Sequence, residues 1–243
     1  MKSFLRHLQE LFISPNNGAK YGQVIFLVGG AAAGKSTAIK QYIDAGSYKV
    51  LNPDDVKALI VKAATKGIPA FRELQGVDPN TPEGSQKVHK FILKTKISSK
   101  KAKLLTSPSR GKETKYLPNI MYDRTFSFAG EFKKISQNLI RAGYKAKNIH
   151  TIFVFTDVNI ALKRNRERAR TLPDDVIVQS ATGAKARFSE LFFGRAKGAM
   201  TNGDWYIVFD RGKSSLQVKR AGQRPEKVGK MALKVAEILG LKQ

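Results

Sequence analysis

The sequence of 243 residues predicts a three-layer α/β fold, in which helices cover both faces of a mostly parallel five-stranded sheet. Apolar, strand-like runs alternate with helical stretches along the chain, which is the pattern of a parallel sheet. The run at 22–30 is continuously apolar and ends in glycine, as expected of a buried central strand. No internal repeat and no second apolar core is evident, so we predict a single domain over 1–243.

The elements follow in order along the chain. An amphipathic N-terminal stretch is expected to pack on the domain, and strands are predicted at 22–30, 47–53, 117–123, 148–157 and 204–210. Helices are predicted at 36–45, 54–67, 129–143, 158–170 and 225–240, with one or two more within 171–198. Asp157 is placed to cap the helix that begins at 158. The Gly- and Pro-rich stretch 67–86 is predicted as a loop, and a basic insertion at about 87–116 follows, the first half of which is compatible with a helix.

Composition narrows the function classes. The 44 Lys and Arg against 19 Asp and Glu give a formal net charge of +25, which favours polyanionic partners, although a generally basic protein is the simpler explanation. The absence of cysteine excludes disulfides and thiolate zinc sites, and the three histidines are too scattered for a metal cluster. No apolar run approaches the ~20 residues that span a bilayer, so we expect no membrane association and a cytoplasmic location.

A glycine-rich motif carries the strongest chemical signal. It matches G-x-x-x-x-G-K-[ST], the phosphate-binding P-loop, and it lies between a predicted strand and a predicted helix. Its glycines allow the backbone N–H groups to face phosphate oxygens, its lysine reaches the β- and γ-phosphates, and its serine offers a hydroxyl to Mg²⁺. The predicted nucleotide-binding residues are Gly29, Gly30, Ala31, Ala32, Ala33, Gly34, Lys35, Ser36 and Thr37.

Acids that follow strands are the next candidates. Asp123 and Asp157 each end a predicted strand, and we prefer Asp123 for Mg²⁺ or its waters because Asp157 suits a helix cap. Asp54 and Asp55 are either first-turn helix acids or include a catalytic base. The sequence offers neither N-K-x-D at a strand end, typical of a switch GTPase, nor the paired acids of a motor ATPase.

Arginines are concentrated on the helix predicted at 158–170. Arg164 and Arg168 share a helix face at a spacing of four residues, and Arg170 lies near the helix end. Such arginines can stabilise the charge that develops on a transferred phosphoryl group, which indicates a lid at about 164–185, as in kinases. The alternative is a solvated basic face.

Together, the P-loop, N-x-D at 52–54, D-x-T at 123–125 and the spaced arginines resemble the zeta-toxin-like P-loop kinases over roughly residues 22–200. The resemblance implies ATP and Mg²⁺ as cofactors and transfer of the γ-phosphate to a substrate hydroxyl. It implies Asp54 as the base that deprotonates this hydroxyl, and Lys35 and Ser36 as phosphate and Mg²⁺ contacts. The implied catalytic residues also include Arg164, Arg168 and Arg170, and the implied substrate-binding residues are Asp54, Asp123, Arg124 and Thr125.

The acceptor is where the sequence departs from that family. Toxin members phosphorylate a UDP-amino sugar, but no sugar-binding residues can be matched within 67–116, which is rich in lysine instead. Related P-loop kinases act on 5′-hydroxyls of polynucleotides or on hydroxymethyl-pyrimidines in viral (phage) DNA. The sequence therefore favours an acceptor on nucleic acid, bound through Lys94, Lys96, Lys100, Lys101 and Lys103. A nucleotide-sugar kinase remains the alternative, and an NTP-dependent nucleic-acid-binding or structural protein is the alternative of another class.

Overall fold

A computed structural model of the chain describes residues 21–97, 117–168, 171–192, 197–199, 201–210 and 215–220. The amphipathic N-terminal stretch and the predicted closing helix lie outside the described residues, as do Lys100, Lys101, Lys103 and Arg170. No helix in the described ranges is long and apolar enough to cross a membrane.

A six-stranded sheet forms the centre of the fold, in the order β2-β3-β1-β4-β5-β6. Its strands are β1 (Val24–Val28), β2 (Lys49–Leu51), β3 (Ile120–Arg124), β4 (Ile149–Thr156), β5 (Trp205–Asp210) and β6 (Ser215–Arg220). The first five run parallel, which confirms the predicted α/β class. The sixth, which pairs antiparallel with β5, was not predicted from the sequence. Its alternation of Leu216 and Val218 with polar residues is the signal that was overlooked.

Six longer helices accompany the strands in the described part of the chain. They are α1 (Lys35–Tyr42), α2 (Pro53–Thr65), α3 (Pro82–Thr95), α4 (Glu131–Arg141), α5 (Val158–Arg166) and α6 (Asp174–Phe192). The predicted loop at 67–86 ends earlier than expected because Thr81 caps α3, its hydroxyl accepting a hydrogen bond from Gly84 N, and Pro82 occupies the first helical position. The residues between contain a 3₁₀-helix at Pro69–Leu74.

The core lies on both faces of β1, every residue of which is inaccessible to solvent. On one face, aromatic rings pack between the sheet and helices α4 and α6. Phe126 stacks on Phe132 with ring centroids 4.6 Å apart, and Phe153 stacks on Phe188 at 4.3 Å. Because Phe188 belongs to α6, this second stack fixes that helix to the sheet.

A smaller cluster joins α2, α3 and the 3₁₀-helix beside the carboxyl end of β2. Its buried members include Val56 and Ile60 from α2 and Val88, Phe91 and Ile92 from α3. The basic insertion predicted at about 87–116 therefore begins inside a regular amphipathic helix, whose apolar face is buried while Lys87, Lys90 and Lys94 remain exposed.

Candidate active site

The predicted P-loop connects β1 to α1, with residues 29–34 in the turn and residues 35–37 in the first turn of the helix. Gly34 has φ +85°, a left-handed conformation that glycine adopts without strain. A Cβ at Gly34 would lie 2.5 Å from Asp210 Oδ2, and one at Gly30 would lie 2.8 Å from Ala181 Cα. Neighbouring elements therefore require glycine at both positions, independently of any nucleotide.

Lys35 folds back over the loop. Its Nζ donates hydrogen bonds to Gly29 O and Gly30 O, both at 3.0 Å. Burial lowers the pKa of Lys35, an effect that the carboxylates of Asp123 and Asp54 oppose. Both acids therefore lie close enough to Lys35 to act on its ammonium group.

Asp123, at the end of β3, is buried next to this lysine. Its Oδ2 accepts a hydrogen bond of 2.9 Å from Asn52 Nδ2, whereas its Oδ1 is buried without a hydrogen-bond partner among the described residues. Burial raises the pKa of Asp123, Lys35 opposes that rise, and Asp54 and Asp55 add to it. An unsatisfied carboxylate oxygen beside a phosphate-binding loop fits a ligand of a hard cation. The described residues contain no group of three or more His, Cys, Asp or Glu that could enclose a metal ion.

Asp54 and Asp55 occupy the first turn of α2, and the cap of that helix is Asn52. The Asn52 Oδ1 accepts a hydrogen bond of 2.8 Å from Asp54 N. The Asp54 side chain is 65% exposed, with its Oδ1 3.1 Å from Lys57 Nζ. Because Asn52 provides the cap, the carboxylate of Asp54 is not required for it.

The other predicted substrate-binding residues follow Asp123 in the chain. Arg124 forms an ion pair with Glu131, with 2.9 Å between Nη1 and Oε1. The Thr125 hydroxyl lies 3.2 Å from that of Ser127. Phe126, between them, is fully buried with φ +50°. The pairing with Glu131 holds the guanidinium of Arg124 within this segment, and the substrate-binding role of Arg124 and Thr125 stays a prediction.

The predicted catalytic arginines separate in the structure. Arg164 forms a bidentate pair with Asp210, with both N–O distances at 2.9 Å. Arg168 is close enough to Lys35 to lower its pKa, whereas Arg170 lies outside the described residues. Asp157 caps α5, its Oδ1 accepting from Asn159 N at 2.8 Å, as predicted. Of the two predicted catalytic arginines that the structure describes, Arg168 acts on the charge of Lys35. Arg164 lies against the P-loop at Gly34, where a Cβ would be 3.1 Å from its Nη1.

The segment predicted as a lid at about 164–185 spans the end of α5, a connection and the first part of α6. Within α6, Ile177 and Ala184 are fully buried, so this part of the segment is fixed in the core. Whether the residues between the two helices move stays a prediction.

Three residues of the site had no assigned role in the sequence-based interpretation. Asn52 was identified only as part of N-x-D, yet it contacts both acids, and Lys57 contacts Asp54. Asp210 ends β5, so the rule that selected Asp123 as a strand-end acid would also have selected Asp210.

Comparisons with known proteins give one family match and several similarities of fold. The zeta toxin family model matches residues 11–192. Two solved structures, the AvrRxo1-ORF1:AvrRxo1-ORF2 complex with sulphate ions and that complex with ATP, each match at 15% identity and a TM-score of 0.55, over 92% of this chain and 64% of theirs. The chain thus spans less than two thirds of the length of these structures.

A structure from the PezAT chromosomal toxin-antitoxin system of Streptococcus pneumoniae matches at 17% identity and a TM-score of 0.48, over 98% of this chain and 92% of that one. Comparison with curated protein sequences gave no match. At such identities the structural likeness describes the fold, whereas the family match covers most of the chain and includes the P-loop, Asp54, Asp123 and Arg168. The chain belongs to the zeta toxin family.

Proposed function

We propose that the protein is an ATP-dependent kinase that transfers the γ-phosphate of ATP to a hydroxyl group on nucleic acid, with Asp54 as the base. The observation that carries the proposal is the convergence of Asp54, Asp123 and Lys35 at the carboxyl end of β1–β3. The Asn52 side chain donates a hydrogen bond to Asp123 Oδ2 and accepts one from Asp54 N. The charge of Asp54 bears on the pKa of Asp123 and of Lys35. In open α/β sheets this end is where ligands bind. A phosphate donor on the P-loop side and a hydroxyl acceptor on the α2 side would meet there.

The roles in this proposal follow from the chemistry of each side chain. Asp54 is exposed and takes the proton of the acceptor hydroxyl as the oxygen of that hydroxyl attacks the γ-phosphorus. The bond between the γ-phosphorus and the oxygen of ADP breaks, and ADP leaves with the electron pair of that bond. Lys35 and Arg168 supply positive charge to the transferred group. The hydrogen bonds of Lys35 to Gly29 O and Gly30 O hold its ammonium group at the P-loop.

Mg²⁺ belongs to the same proposal. A bound Mg²⁺ would offset the negative charge of the phosphates. Ser36, exposed in the first turn of α1, and Asp123, with its unsatisfied Oδ1, are the residues that would hold it directly or through water.

The preference for a polymeric acceptor rests on charge. The net charge is +25, and α3, which packs on α2 at the proposed acceptor side, carries exposed lysines. This charge suits a polyanion better than a single small phosphate ester. Lys94 pairs with the exposed Glu73 at 3.3 Å, and this weak surface contact would not compete with a phosphate. Lys96 is exposed at the end of α3.

A labelling experiment tests the proposal. The protein is incubated with γ-labelled ATP and separately with DNA, RNA, nucleosides and UDP-sugars, and the labelled product is identified. We expect label on nucleic acid. Label on a UDP-sugar instead would show that the acceptor is a nucleotide sugar and not nucleic acid. Release of free phosphate alone, stimulated by DNA, would contradict the transfer reaction.

The five predicted lysines provide a second arm of this test. Changing Lys94, Lys96, Lys100, Lys101 and Lys103 together to Gln should weaken a nucleic-acid substrate and flatten the salt dependence of its KM, by about 0.7–0.9 in log–log slope for each phosphate that the variant no longer neutralises. The KM for ATP should stay the same. An unchanged salt slope with nucleic acid would rule this surface out as its binding site.

The second candidate is a nucleotide-sugar kinase, which family membership favours. Phe91, an aromatic residue near the basic stretch, is buried in the α2–α3 cluster, so it offers no stacking surface to a single strand. For this candidate the same base and P-loop act on a small acceptor. The protein with the five Lys→Gln changes should then show an unchanged KM for the nucleotide sugar.

A further inference from the structure

Helix α6 contacts the P-loop through a side-chain hydrogen bond that no role of the kinase has so far required. Ala31 N donates to Ser180 Oγ at 2.9 Å, and Ser180 Oγ in turn donates to Ile177 O at 3.0 Å. Because the hydroxyl proton is used within the helix, a lone pair of Ser180 faces the loop amide. The direction of the contact is thereby fixed, with the loop as donor and the helix as acceptor.

Backbone packing reinforces this contact at the next residue. A Cβ on Gly30 would lie 2.8 Å from Ala181 Cα and 3.0 Å from Ala181 N. The second and third residues of the P-loop therefore rest directly on α6. A shift of the helix by even a fraction of an ångström would move the loop with it.

The same helix face also contacts the segment after β3. A Cβ on Gly183 would lie 2.7 Å from Ser127 Cβ and 3.1 Å from Ser127 O. Ser127 lies next to the hydroxyl of Thr125, in the segment that begins with Asp123. Ser180 and Gly183 are one helical turn apart, which corresponds to about 4.5 Å along the axis.

Buried residues on either side of these contacts fix α6 in the core. Ile177, Ala184 and Phe188 are fully buried, and the stack of Phe188 on Phe153 ties α6 to β4. One rigid turn of α6 therefore connects the loop that holds the phosphates with the segment on the acceptor side.

We propose that α6 sets the distance between the P-loop and the acceptor segment at 123–127, with Ser180 as a positioning residue that acts through the Ala31 amide. This proposal rests on the proposed function, both for the binding of ATP at the P-loop and for the position of the acceptor. A precise distance favours attack by the acceptor hydroxyl over attack by water, because misplacement of reacting groups by about 1 Å can cost ~100-fold in rate. Ser180 thereby determines how much ATP is used for transfer.

The first test compares Ser180→Ala with Thr182→Ala, which removes an exposed hydroxyl from the same helix. Loss of one hydrogen bond at Ala31 should lower kcat for transfer by about 5–10-fold and raise the Kd for ATP by a few-fold. Hydrolysis of ATP by water should fall less, so the ratio of transfer to hydrolysis drops. Ser180→Thr, which keeps the hydroxyl, should restore that ratio, and Thr182→Ala should leave it at the wild-type value.

Gly183→Ala tests the contact of α6 with the acceptor segment at 123–127. Alanine is a better helix former than glycine, so any loss comes from contact with Ser127 and not from the helix itself. Because the new methyl group is added on the acceptor side, this variant should lower kcat for transfer by a larger factor than it raises the Kd for ATP.

Two results would overturn the proposal. One is a Ser180→Ala protein in which transfer and hydrolysis fall in equal proportion, because partial unfolding would do the same. The other is a Ser180→Ala protein that is indistinguishable from wild type. If the wild-type protein transfers phosphate to no nucleic acid, the proposed acceptor fails, but the Kd for ATP of Ser180→Ala still decides whether Ser180 positions the loop.

Discussion

Asn52 donates its side-chain Nδ2 to Asp123 Oδ2 at 2.9 Å and so joins the ends of two neighbouring strands, β2 and β3. Its Oδ1 accepts from Asp54 N at 2.8 Å, which caps α2. A single amide group therefore sets both the orientation of the buried acid and the start of the helix that carries the proposed base.

We expect Asn52→Ala to lower both stability and transfer. Loss of the cap should cost about 1 kcal/mol in the free energy of unfolding, and Asp123 would lose its hydrogen bond. Thr81→Ala is the matched control, since Thr81 caps α3 and makes no contact with Asp123. Urea unfolding should show a loss of about 1 kcal/mol in Thr81→Ala and a larger loss in Asn52→Ala, because the latter also removes a partner of buried Asp123. Steady-state kinetics should show a lower kcat only in Asn52→Ala. Equal kcat values in the two variants would contradict a positioning role for Asn52.

Asp54→Asn should lower kcat by about 10²–10⁴ because the acceptor hydroxyl would lose its base. The KM for ATP should change little. Asp55→Asn is the control, because both acids are exposed in the first turn of α2 and both lose a similar interaction with the helix dipole. Rapid-quench measurement of phosphoryl transfer distinguishes the two. If Asp55→Asn lost more activity than Asp54→Asn, the base would be misassigned.

Arg168→Met should lower kcat by about 10²–10³, since a positive charge next to Lys35 would be missing as charge builds on the transferred group. Arg166→Met serves for comparison, because Arg166 belongs to the same basic run but forms an exposed pair with Asp174 at 2.7 Å. Steady-state kinetics with saturating ATP should leave the Arg166 variant near the wild-type value. Wild-type kcat in Arg168→Met would remove this arginine from the mechanism.

His150 should make stability depend on pH. Asp204 N donates to its Nδ1 at 2.8 Å, and its Nε2 lies 2.9 Å from Gln23 Oε1, so the ring is neutral. Burial lowers the pKa of His150 to about 4, an effect that Asp204 opposes. As the pH falls from 6.5 towards 4, the unfolded chain binds a proton that the folded chain excludes, so stability decreases by up to about 3 kcal/mol.

Urea unfolding at pH 7 and pH 5 measures this dependence. In His150→Gln, stability should be lower at both pH values but should change less between them. His89→Gln, which replaces an exposed histidine, should keep the wild-type slope. A wild-type slope in His150→Gln would show that other groups cause the pH dependence.

Elements with strong local signals could be predicted from the sequence. The strand at 22–30 needed only its apolar run, and the P-loop needed only the spacing of its glycines and lysine, because both depend on consecutive residues. The cap of α3 at Thr81 was equally local, but the surrounding Gly and Pro residues concealed it.

Contacts between distant residues could not be predicted in this way. Arg164 and Arg168 share a helix face in the sequence pattern, yet Arg164 pairs with Asp210, which lies 46 residues away. Only the pairing of β4 with β5 brings that carboxylate to the helix after β4. The contact of Ser180 with Ala31 spans 149 residues and has no sequence signal.

Strand order separates the site into two halves at β1. Asp54 and Asp123 come from the side of β2 and β3, whereas Arg164 and Asp210 come from the side of β4 and β5. Substitutions and insertions that alter acceptor choice can therefore accumulate on one flank while the donor flank is left intact. Members of one lineage that share this arrangement are free to diverge in what they phosphorylate while continuing to use the same phosphate donor.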